Sequence, residues 1–289
     1  MMFPDLILLT AAIVILWFSP VKNGQVITVY WIGLFFLAIA AGLYVGRLSW
    51  PVLPVALLFG GACYGFTKSK GAGRWLLGTG VLLMALGLGL HLLPGFHNPQ
   101  ILDKVQLSPD SIPYSLYLNF DKAMVGLFIL AFMQPLINTS LQWRDMIRQL
   151  LPMAGITISI VILVSMAVGY IRFDPKWPDF LLYWLWINLF ITCLAEEALF
   201  RGFLQQQLIR LLLPYKYGPL IAITICAALF GLAHIGGGLT YVFLATVAGL
   251  GYGLAYHKTG RIEAAVLLHF MLNTVHILFF SYPALIGIR

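Results

Sequence analysis

The chain has 289 residues, 61% of them hydrophobic and 9% charged, with a formal net charge of +7 from 17 Lys and Arg against 10 Asp and Glu. Ordinary soluble domains carry about 25% charged residues, so this composition cannot clothe a water-facing surface and excludes a soluble globular protein. The basic residues stand in ones and twos between apolar runs, which marks loops beside anionic membrane lipid and gives no surface for nucleic acid.

Taken in chain order, the apolar runs predict an all-α, polytopic transmembrane bundle of about ten helices, since roughly 20 apolar residues cross a bilayer. The first four spans run over 5–19, 26–46, 51–66 and 75–95. The opening run has Asp5 as its early charge and ends at Pro20. It lacks the basic start of a signal peptide and reads as a retained helix. A polar segment of about 25 residues follows, containing Pro99, Asp103, Asp110, Pro113 and Asp121; it is expected to be an external loop or a cap on the bundle. Two further spans cover 122–138 and 150–171, and four more cover 179–212, 217–235, 239–257 and 262–281.

Basic residues in short loops set orientation. The loops after odd-numbered spans hold ten Lys and Arg, and the even side holds six with Arg289 included. The odd loops are therefore expected in the cytoplasm. A soft boundary falls at the polar stretch Trp143 to Gln149, dividing N-terminal helices of unassigned role (1–149) from a core at 150–289. Polar residues inside spans concentrate in that core, so chemistry is expected there. Cys63, Cys193 and Cys226 lie in apolar runs without metal-ligand spacing and read as small buried hydrophobes.

Two of the chain's three glutamates are adjacent within INLFITCLAEEALFRGFL. An acid at mid-bilayer costs about 2.5–3.5 kcal/mol on insertion scales. Glu197 and Arg201 are four apart and share a helix face, so they can pair. Glu196 turns to another face. An ion pair that only orients helices explains Glu197 and Arg201 but leaves Glu196 unexplained. In LFGLAHIGGG, Phe230 and His234 are four apart near a helix end. A lone His there is as easily a packing residue as a catalyst. Depth changes the weighing. Glu196 lies 18 residues before Pro214 and His234 lies 16 after Gly218, so an antiparallel hairpin would set both roughly 24–27 Å from the turn. The third feature is AAVLLHFMLNTVHILFF, where His269 and Asn273 share one face and His276 continues it. For these the plain alternative is interhelical hydrogen bonding, the preferred reading for His276. Gly249, Gly251 and Gly253 read as close helix packing.

A carboxylate and an imidazole sharing one water can make a nucleophile, and an imidazole–amide pair can stabilise an oxyanion. That describes amide hydrolysis by direct water attack. Neither a nucleophile motif nor H-E-x-x-H for zinc is present. Zinc on Glu196, His234 and His269 is chemically allowed, although few polar residues are near to support such ligands. The expectation is therefore no cofactor.

The order Glu196-Glu197-x-x-x-Arg201, Phe230-x-x-x-His234 and His269-x-x-x-Asn273 resembles the CAAX-prenyl-protease and bacteriocin-processing family of intramembrane glutamic endopeptidases. The stretch Gly253 to Gly260 and the run Leu267 to Asn273 resemble its closing region, and the likeness covers about 150–285. It implies a helical core in the cell membrane with its active site open to the cytoplasm. It implies Glu196 and His234 as water activators, His269 and Asn273 as oxyanion stabilisers, and Glu197, Arg201 and Phe230 as supporting residues. Its substrate would be a membrane-associated protein or peptide. Two other classes compete: a non-catalytic scaffold or bacteriocin-immunity protein of the same fold, and a transporter with a buried Glu/His proton relay. The transporter would need acids well inside the N-terminal spans too, and the acid those spans hold is Asp5, at the very start of the first.

Overall fold

The computed structural model describes residues 3–18, 21–22, 25–26 and 29–287. The end expected at 19 and the charge counted at Arg289 lie outside the described residues; the second helix, expected from 26, begins at Val29, and Val26 belongs to a short strand. The described chain forms ten helices. They are α1 (Pro4–Phe18), α2 (Val29–Tyr44), α3 (Val52–Lys68), α4 (Gly71–Gly89), α5 (Phe120–Met133), α6 (Ser140–Ala167), α7 (Leu181–Leu212), α8 (Gly218–Leu232), α9 (Leu239–Thr259) and α10 (Ile262–Phe279). The architecture is an all-α membrane bundle, as the composition predicts.

Five of these, α4, α6, α7, α9 and α10, are long and apolar enough to cross a membrane. The others have 14 to 17 residues, a rise of roughly 21–26 Å against a hydrocarbon core of about 30 Å. α8 shows why. It was expected to reach 235 but stops at Leu232, before a 3₁₀ turn over Ile235–Gly237 and Gly238 at φ 91°, a backbone that favours glycine. α6 differs in the other direction. Its start at Ser140 takes in the polar stretch expected to be a loop, because Thr139 caps it by accepting a hydrogen bond from Gln142 N–H at 3.2 Å.

Two short sheets accompany the helices. Strands β1 (Val21–Lys22) and β2 (Gln25–Val26) pair antiparallel, and β3 (Gln100–Val105) pairs with β4 (Tyr114–Tyr117). The second pair occupies the polar segment expected to be an external loop or cap.

The chain divides into two compact units. The first comprises Met1–Pro99, Tyr117–Asn138 and Phe190–Phe203, and the second Gln100–Leu116, Thr139–Leu189 and Leu204–Arg289. In the first, Trp31 packs edge-on to Phe128 and Phe132, at 5.9 and 5.4 Å between ring centres, with Phe59 also against Phe128. Two buried acids there are partnered: Asp5 pairs with Arg47, and Asp121 accepts hydrogen bonds from Asn98 at 3.0 and 3.1 Å and lies 2.7 Å from His91 Nδ1. In the second unit, α9 packs against α6, α8 and α10. Glycines permit the approach: a Cβ on Gly251 would lie 2.3 Å from Thr157, and one on Gly253 would lie 2.7 Å from Gln205 Oε1. Gln205 Nε2 also donates to the Gly253 carbonyl at 3.0 Å. The packing role read for these glycines is the one they have.

Candidate active site

Glu196, Glu197 and Arg201 belong to the first unit, and Phe230, His234, His269 and Asn273 to the second. The motif helix α7 is not a uniform α-helix. It changes to π-helix over Asn188–Cys193, returns to α over Leu194–Glu197, and is π again over Ala198–Gln205. The two glutamates thus sit on a single α turn between wide turns, a geometry found often at functional sites.

In the first unit, Arg201 Nη1 donates to Glu197 Oε1 at 3.0 Å, and both side chains are fully buried. At zero exposure neither ion has water, so each depends on the other. The Glu196 side chain is 19% exposed, and its Oε1 lies 3.8 Å from Lys122 Nζ at the start of α5. Sequence reasoning missed Lys122, treating it only as a loop charge; no spacing rule links residues 74 positions apart. Gly126 allows α5 and α7 to meet, since a Cβ there would fall 2.4 Å from Leu194 Cδ2 and 3.2 Å from Ala195 Cα. Gln134 Nε2 donates to the Gly202 carbonyl at 2.6 Å, giving a π-turn carbonyl a partner outside its own helix.

In the second unit, His234, His269 and Asn273 line one cavity of about 70 Å³. A water needs at least about 10–15 Å³ of such volume, so the cavity has room for water. His234 follows the last turn of α8, and its Nδ1 lies 2.7 Å from the Phe230 carbonyl. A carbonyl can only accept, so Nδ1 carries the proton and donates. In the neutral ring the lone pair is then on Nε2, the nitrogen a base needs. Phe230 also holds the second imidazole, its ring edge-on to His269 at 5.7 Å. The motif Phe therefore supports both histidines.

His269 is buried and stacks on Tyr252 at 4.7 Å with 16° between the planes. Tyr241 meets His234 edge-on at 5.2 Å. Neither tyrosine was foreseen, because 17 residues and a turn separate Tyr252 from His269. Asn273 Nδ2 donates to Asn188 Oδ1 at 3.4 Å. Asn188 carried a legible signal as a lone amide in an apolar helix, and it was passed over. His276 Nε2 lies 3.2 Å from the Ser281 carbonyl, a local bond to the chain that follows its own helix; it also lines the cavity. Among the described residues, no group of three or more His, Cys, Asp and Glu stands in a metal-ligand arrangement.

The arrangement in the second unit offers a space large enough for water, an oriented imidazole, and an imidazole–amide pair able to donate to a developing oxyanion. Residues 177–275 match the family model described as type II CAAX prenyl endopeptidase Rce1-like. No curated protein and no solved structure matches the chain. The matched segment contains all seven motif residues, from Glu196 to Asn273. Over residues 177–275, then, the chain is similar to the Rce1-like family of type II CAAX prenyl endopeptidases.

Proposed function

We propose that the protein is an intramembrane endopeptidase that hydrolyses a peptide bond of a membrane-associated protein or peptide, with its chemistry in residues 150–289. Glu196 takes a proton from water, with His234 holding that water through Nε2. The hydroxide attacks the scissile carbonyl carbon. His269 and Asn273 donate to the oxyanion, and Glu196 returns the proton to the leaving amine as the C–N bond breaks. Glu197, Arg201 and Phe230 hold the machinery in place. The observation that supports this most is the water-sized cavity lined by His234, His269 and Asn273 inside the segment that matches a protease family.

The reading needs no metal. Zinc on Glu196, His234 and His269 would supply its own hydroxide, with a water pKa near 7. Elemental analysis of active, chelator-washed protein separates the two. Activity without stoichiometric zinc is expected; one zinc per chain, with activity lost on stripping and restored on adding zinc, overturns the metal-free scheme. The decisive variant for catalysis is Glu196→Gln, expected to abolish cleavage at near-normal membrane expression. Wild-type turnover by that variant would defeat the mechanism and favour the scaffold or immunity reading of the fold.

The reading takes the membrane to be the plasma membrane. Two expectations about the side it works on pull apart. The resemblance implies a cytoplasmic mouth, whereas the loop charges put in the cytoplasm the helix ends opposite His234.

A further inference from the structure

The cavity lies at one end of the second unit. Tyr170 follows α6, His234 follows α8, Tyr241 is in the first turn of α9, and His276 is in the last turn of α10; all four line the cavity. This end carries a roof of three extended segments. Ile112 N–H donates to the Ala284 carbonyl at 2.9 Å, Ile286 N–H to the Asp110 carbonyl at 2.8 Å, and Asp174 N–H to the Phe279 carbonyl at 2.8 Å. Lateral contacts tie the roof to α7, where Trp184 Nε1 donates to the Tyr114 hydroxyl at 3.1 Å.

Charge is distributed unevenly between the two ends of this unit. Among the described residues, the roof holds three basic residues, Lys104, Arg172 and Lys176. Two of them are in ion pairs with acids of the roof, Arg172 with Asp110 at 3.0 Å and Lys176 with Asp174 at 3.2 Å. The opposite end holds six: Arg144 and Arg148 in the first turns of α6, Arg210 and Lys216 around the α7–α8 turn, and Lys258 and Arg261 around the α9–α10 turn. These connections are short, the kind over which an excess of Lys and Arg fixes the cytoplasmic side.

We propose that the cavity end of the second unit faces away from the cytoplasm, so that the site takes an exported, membrane-anchored protein or peptide with its scissile bond at the extracytoplasmic face. This reverses the cytoplasmic mouth that the family resemblance implies. A lipid-modified C-terminus anchored in the cytoplasmic leaflet does not reach such a site. The substrate class rests on the protease reading; the orientation rests only on the placement of charge and cavity within one unit.

The test is cysteine labelling in sealed membrane vesicles of known sidedness, with a membrane-impermeant maleimide and detergent-opened vesicles as the reference for full labelling. Gly236→Cys and Asp179→Cys mark the cavity end. Both positions are exposed, and a Cβ on Gly236 meets nothing within 4 Å. Lys216→Cys marks the other end and is exposed as well. The three native cysteines are buried. Expected in right-side-out vesicles is near-complete labelling at Gly236→Cys or Asp179→Cys, with Lys216→Cys protected until detergent is added. Labelling of Lys216→Cys with protection of both cavity-end positions overturns the proposal. The assay needs no turnover, so an inactive protein with the expected labelling would end the protease reading and leave the orientation standing.

Discussion

Glu197 and Arg201 are fully buried and 3.0 Å apart, and this fixes what each residue near the motif can do. Removing one partner strands a charge without water, a loss of about 3–5 kcal/mol. Glu197→Gln and Arg201→Met are therefore each expected to lower the folded yield in detergent, read as the monodisperse fraction in size-exclusion chromatography. Normal yield with lost activity in both would assign the pair to catalysis instead. Asn273 should behave differently. As an oxyanion donor it acts mainly in the transition state, so Asn273→Ala should lower kcat by roughly 10²–10³-fold with little change in KM; an unchanged kcat would remove it from the site. The pair was legible because i and i+4 share a helix face. Lys122 beside Glu196, and Tyr252 stacked on His269, were not, because side chains from different helices meet by tertiary packing that no local spacing encodes.

At the scale of elements, the apolar runs made all ten helices legible, and their ends were the weak point. α6 begins ten residues before its expected start because a threonine cap and an amphipathic first stretch carry the helix out through polar sequence. The polar segment at 96–121 contains the paired strands β3 and β4, whose few residues show no strict alternation of apolar and polar side chains. The π turns of α7 had no sequence signature. Gln134 partners the Gly202 carbonyl within one of them, and Gly126 sits against Leu194 in the α turn between them. That contact gives a prediction for α5 and α7. Gly126→Leu places a side chain where Ala195 backbone atoms lie 3.2–3.3 Å from the first added carbon, and backbone cannot give way as a side chain can. The variant should lose thermal stability and folded yield, by about 1–3 kcal/mol for overpacking. A melting temperature equal to the wild type's would show that the two helices have slack here.

Across the whole molecule, the five long apolar helices support an integral membrane protein, and the segment 177–275 is similar to a family of endopeptidases. The central claim is that this protein adds water across a peptide bond and needs Glu196 to do it. Its most direct test is mass-spectrometric mapping of peptide termini in membranes containing either the wild-type protein or Glu196→Gln at equal abundance, incubated in water enriched in oxygen-18. The account predicts a set of new C-terminal carboxylates in membrane-associated polypeptides, carrying the heavy oxygen and present only with the wild type. Identical labelled termini in both membranes, with the variant folded, would contradict it.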